Sequence, residues 1–114
     1  MVIELGTNDC APTDCPPLAP YIDRIMNGIA SSIPVLWLNV QEDVPNPFSQ
    51  NRVVVNAALR SADERWPNLY LIDLNGFSAG HPEWHTPDGL HFNDIGRQQF
   101  ALFLADALEG FKPE

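Results

Sequence analysis

Apolar residues fall in short continuous runs, and between the runs they recur at every third or fourth position. Val2-Ile3-Glu4-Leu5 is the first run; it reads as a short buried strand that Gly6 closes. Residues 6–17 are a loop rich in Pro, Asp and Thr. Leu18, Ile22, Ile25, Met26 and Ile29 share one helical face, with Pro20 tolerated in the first turn. The run from Pro34 to Val40 is of strand length and does not alternate with polar residues, which predicts burial on both faces, as in a parallel sheet. After an irregular loop over residues 42–49, Asn51 is placed to cap a helix that continues to about Arg65. Val54, Val55, Ala58, Leu59 and Ala62 face inward on it, and Trp66-Pro67 ends it. Leu69-Tyr70-Leu71-Ile72-Asp73-Leu74 is a third strand, and residues 75–90 form a loop. A last helix starts near Asn93 or Asp94 and reaches about Glu109, with Phe100, Phe103, Leu104, Ala107, Leu108 and Phe111 along its buried face.

Strand and helix therefore alternate three times, the signature of an α/β domain with a parallel sheet and right-handed crossovers. Reactive groups in such a sheet gather beyond the carboxyl ends of the strands. That places residues 6–9 and 88–91 on one rim, although they are about 80 positions apart in sequence. A length of 114 residues suits one small domain, and no internal repeat or low-complexity tract divides it.

The composition narrows the function by exclusion. Fifteen acidic against six basic residues give a formal charge of −9, which argues against binding nucleic-acid backbones or anionic membrane surfaces. No apolar run approaches the roughly 20 residues that span a bilayer. The first five residues lack the basic region and cleavage site of a signal peptide. Cys10 and Cys15 are the only cysteines, and their spacing admits a local disulfide, two free thiols or a metal pair. A disulfide points to a secreted or extracytoplasmic location, and reduced thiols to the cytoplasm.

Candidate chemistry is concentrated in Asp88-Gly89-Leu90-His91, just ahead of the last helix. A carboxylate three residues before an imidazole can orient the ring and stabilise its charged form, the arrangement of a general base in serine-type acyl hydrolysis. In Gly6-Thr7-Asn8-Asp9, the Asn8 amide is a candidate donor to a developing oxyanion. Trp84 and Phe48 are candidates either to line a substrate pocket or to pack their loops down. A competing constellation, His81, Glu83, His85 and His91, has some of the residue types of a zinc site, but Pro82 and Pro87 oppose the regular helix it would need, and no metal is assigned.

These stretches together resemble the SGNH, or GDSL-type, hydrolases: an apolar strand followed by Gly-x-Asn-Asp, then Asp-x-x-His before a helix. The resemblance implies a flavodoxin-like three-layer α/β/α sandwich and an esterase, lipase or acyltransferase acting on a small-molecule, glycan or lipid ester, without a cofactor. It implies His91 as general base, Asp88 as its partner and Asn8 in the oxyanion hole, with Gly6 permitting the tight turn that brings Asn8 inward and Asp9 bracing the loop. The family's nucleophile lies in a Gly-Asp-Ser motif that precedes the Gly-x-Asn-Asp strand, and this chain begins at that strand. The resemblance therefore makes residues 1–114 a partial domain, truncated at its amino terminus, with no nucleophile of its own. Ser31, Ser32 and Ser61 are misplaced, and neither Ser49 nor Ser78 sits in a sharp Gly-x-Ser turn. Residues 2–5 then form an exposed edge, open to a second copy or to an amino-terminal fragment. A non-catalytic binding module is the alternative.

Overall fold

The computed structural model describes residues 1–11, 13–45 and 51–113. Three parallel strands, β1 (Val2–Ile3), β2 (Val35–Leu38) and β3 (Leu69–Ile72), form one sheet in the order β1-β2-β3. Val2 pairs with Leu36, and Val35 with Leu69. Helices α1 (Ala19–Asn27) and α2 (Arg52–Arg65) connect the strands; α3 (Leu74–Ser78), a 3-10 turn at Pro82–Trp84 and α4 (Asp94–Gly110) follow them.

Alternation along β2 produces the layers. Val35 and Trp37 join Ile22, Met26, Val55, Leu59 and Ala62 in one apolar cluster, formed with α1 and α2. Leu36 and Leu38 face the other way, into a cluster with Phe77, Phe100, Phe103 and Leu104 from α3 and α4. All four β2 residues are buried, as a strand covered on both faces requires. The expected α/β architecture with a parallel sheet is therefore present, with helices on both sides.

The caps fix where the longer helices start. The Asn51 side chain accepts from the Val54 amide, and Asn93 from the Gly96 amide. Four expectations need correction. The first run is not buried along its length: only Val2 and Ile3 pair, Ile3 alone is buried, and Leu5 is exposed, its carbonyl accepting from the Trp37 indole. Val54 is exposed because three successive valines cannot all face inward on one helix, and Val55 takes the core position. Leu108 is likewise exposed near the end of α4, where Leu104, Ala107 and Phe111 supply the contacts. The third strand ends at Ile72; Asp73 turns outward to accept from the Gly76 amide and begins α3, where a loop was expected.

Cys10 and Cys15 form a disulfide, which settles the three states left open by their spacing. Cys10 is buried in the α1–α2 cluster, so the bridge ties the loop after β1 to the core.

Candidate active site

Asp88 and His91 are brought together by the turn between the 3-10 segment and α4. His91 Nδ1 hydrogen-bonds Asp88 Oδ2, and the His91 ring is largely exposed. The other carboxylate oxygen, Oδ1, accepts three bonds: from the Thr86 hydroxyl (2.7 Å), the Leu90 amide (2.8 Å) and the His91 amide (3.0 Å). The carboxylate therefore organises the turn with one oxygen and the imidazole with the other. The bond from His91, then those from Thr86 and the two amides, hold the Asp88 carboxyl well below the usual carboxylate range. With Nδ1 engaged by the acid, Nε2 is the ring nitrogen left to exchange a proton with a substrate.

Gly89 makes the turn possible. Its φ of +72° lies in the left-handed region, and a Cβ there would stand 2.6 Å from the Pro45 ring. Two further bonds close the turn: the Thr86 amide donates to the His91 carbonyl (2.8 Å) and the Gly89 amide to the Thr86 carbonyl (2.9 Å).

The turn is anchored to the sheet by contacts that the sequence did not single out. Asn56, fully buried on α2, accepts from the Val40 amide and donates to the Val40 carbonyl, both at 2.8 Å. It also donates to Glu42 Oε1 (2.9 Å). The chain is thereby fixed just beyond β2, where Gln41 donates to the Leu90 carbonyl (3.2 Å) and presents its side-chain oxygen to His85 Nε2 (2.7 Å). The other ring nitrogen of His85 faces the His81 carbonyl (2.9 Å). Asn93 donates to the Glu83 and His85 carbonyls while capping α4. No local pattern marks these contacts; an Asn on the buried face of α2 was the one available signal.

The folded carboxyl of Asp88 titrates below its ordinary 3.8, so its contribution to stability is fully present above that pH. The contribution is lost as pH falls through the depressed value. Asp88→Asn should therefore lower the urea midpoint at pH 6, with the gap to wild type narrowing as pH drops below 3.8. Parallel urea titrations of both proteins check this; a gap that widens toward acid would contradict the assignment.

Gly6, with φ +121°, starts the turn after β1, and the Asp9 amide closes it on the Gly6 carbonyl (3.2 Å). A Cβ at Gly6 would meet Val55 at 2.9 Å, so this turn lies against α2. Asn8 is exposed on it, beyond the carboxyl end of β1. Residues 6–9 and 88–91 thus stand on one rim of the sheet, but the cavities beside them are separate. A cleft of about 530 Å3 beside the Asp88 turn is lined by Asp43, Ser78, His81, His85, Thr86 and Gly89, among others. A smaller apolar pocket, about 110 Å3, lies beside Gly6 and Asp9, against Trp37 and Leu59.

The Trp84 ring is stacked on His81 at 3.7 Å and packs against Phe77 at 4.9 Å, and it is not among the residues lining the cleft. Phe48 and Ser49 lie outside the described residues. Ser78 is in α3 rather than in a loop; its hydroxyl donates to the Asn75 carbonyl. The Ser61 hydroxyl accepts from Arg65. Among the described residues, no serine hydroxyl hydrogen-bonds an imidazole. The three histidines engage different partners: His81 pairs with Glu83 (2.8 Å), His85 with Gln41 and the His81 carbonyl, and His91 with Asp88. His81 and His85 flank a 3-10 turn and do not share a helix face.

No family model matches this chain. It is 26% identical over 109 residues to O-acetyltransferase OatA of Staphylococcus aureus (strain NCTC 8325 / PS 47), an alignment covering 96% of this chain and 16% of that protein. It is 33% identical over 96 residues to a Staphylococcus aureus (strain MSSA476) protein named provisionally as an O-acetyltransferase, covering 84% of this chain and 14% of that protein. The chain thus spans about one-sixth of the length of the relatives it matches.

Proposed function

We propose that this chain is the carboxyl-terminal part of an SGNH-type acyl-transfer domain. The observation that carries the reading is the Asp88–His91 pair, its Nδ1 held by the carboxylate, on the rim that also bears the Gly6–Asn8 turn. The O-acetyltransferase names of its relatives support the same chemistry. His91 Nε2 takes the proton of a serine hydroxyl as the serine oxygen bonds to the ester carbonyl carbon. Asn8 donates to the resulting oxyanion. When the intermediate collapses, the ester C–O bond breaks and His91 returns the proton to the leaving alcohol. A second alcohol then takes the acyl group in a transferase, or water takes it in a hydrolase. Asp88 is a positioning residue throughout: it holds the ring and its tautomer. The serine comes from a segment outside residues 1–114, and the substrate is a small-molecule, glycan or lipid ester.

A fluorophosphonate probe with intact-mass readout tests this. The chain by itself should gain no phosphonyl group. The chain extended upstream by its Gly-Asp-Ser-bearing segment should gain one, and lose it in His91→Ala. If the folded, extended protein stays unlabelled, the acyl-transfer reading fails, and a binding module that uses the unpaired side of β1 takes its place.

A further inference from the structure

Arg52 occupies the first turn of α2, and only 3% of it is exposed. Among the described residues, its buried Nε and Nη2 have no hydrogen-bond partner. Those two nitrogens form one edge of the guanidinium, the side-on fork whose parallel N–H bonds match the two oxygens of a carboxylate. A cation is also out of place there. The amino end of a helix carries positive partial charge, and the first turn of α2 contains no acidic residue to offset it. Residues 46–50, just before α2, read Asn-Pro-Phe-Ser-Gln and contain no acid. Burial pushes the guanidinium pKa down, and nothing among the described residues opposes that shift.

The position is not remote from the proposed chemistry. The Asn51 amide, adjacent to Arg52, donates to the Cys10 carbonyl, which ties the start of α2 to the loop that carries Asn8. One turn further along the helix, Asn56 holds the end of β2. Arg52 therefore lies, along α2, between the residue tied to the loop after β1 and the residue that holds the segment after β2.

We infer that Arg52 and the amino end of α2 form a carboxylate-binding site, whose ligand presents two oxygens to the Nε–Nη2 edge. The carboxylate belongs to a substrate or product, or to an acidic side chain of the longer protein. The site does not depend on the assignment of His91. Because the guanidinium is buried, equilibrium stability is the suitable readout.

The test is thermal unfolding in sodium acetate against sodium chloride at equal ionic strength. Acetate should raise the midpoint of the wild-type chain by roughly 5 °C or more at concentrations well above its Kd. Arg52→Met keeps the aliphatic stem and removes the charge. It should melt in chloride at or above wild type and lose the acetate response. Should that variant not fold, Arg52→Lys retains the charge without the fork and should lose most of the response. A wild-type midpoint that acetate leaves unchanged, or an equal rise in either variant, would overturn the site. Repeating the measurement on the upstream-extended protein separates the two sources. A persisting response assigns the fork to a dissociable ligand; a response that vanishes while Arg52→Met becomes destabilising assigns it to a side chain of the longer protein. Fluorophosphonate labelling reads the acyl-transfer proposal separately, so either idea can fail without the other.

Discussion

Asn56→Leu should destabilise the protein by roughly 2–6 kcal/mol, because it leaves the buried amide and carbonyl of Val40 unpaired at about 1–3 kcal/mol each. Leucine shares the branched outline of asparagine but is larger, so overpacking at this buried position adds to the loss of polar pairing. Since such a domain has only about 5–15 kcal/mol of total stability, the urea midpoint should fall by about 1 M or more. The damage should also reach the Asp88–His91 turn, which Gln41 anchors from the segment that Asn56 fixes. Asn56→Asp separates the contributions. It keeps an acceptor for the Val40 amide but turns a carboxylate toward the Val40 carbonyl and Glu42. Its deficit should be largest at neutral pH and shrink on acidification, once a protonated oxygen can donate again. An Asn56→Leu variant that melts with wild type would mean that water takes the place of the amide.

Asn56 also shows why part of this molecule was not legible in its sequence. β2 and β3 were readable because runs such as Val35-Leu36-Trp37-Leu38 are too apolar and too short for anything but a covered strand. The starts of α2 and α4 were readable because Asn51 and Asn93 sit one residue ahead of a periodic pattern and cap it as such residues do. The Asp88–His91 pair was readable because its partners are three residues apart, so a local turn is enough to join them. α3 was missed because five residues are too few to display a period, and Asp73 reads equally as the end of a strand. Asn56 and Gln41, and the bond that joins Gln41 to His85, are hidden for another reason. A polar residue in a helix or loop is ordinarily solvated, and these partners lie between 14 and 49 positions away. Only the packing of α2 against the end of β2, and of the 88–91 turn against the segment after it, makes them neighbours.

Asp88→Asn should abolish most acyl transfer while leaving the turn in place, and the reason is a single nitrogen. The asparagine oxygen can replace Oδ1 and still accept from Thr86, Leu90 and His91. Its amide nitrogen then replaces Oδ2, so a donor faces a ring nitrogen that had itself been donating. A neutral imidazole resolves the conflict by carrying its proton on Nε2 and accepting at Nδ1. That tautomer blocks the nitrogen that takes the serine proton in the proposed mechanism. In the upstream-extended enzyme the variant should lose on the order of 10⁴-fold in kcat on an activated acetate ester, with KM little changed. The tautomer can be read without turnover, since nitrogen-15 shifts of His91 distinguish Nδ1–H from Nε2–H. The expected result is protonated Nδ1 in wild type at alkaline pH and protonated Nε2 in the variant. If kcat falls less than tenfold, or if the variant keeps the wild-type tautomer, Asp88 serves to shape the turn and not to set the base. The three bonds to its other oxygen would then be its whole role.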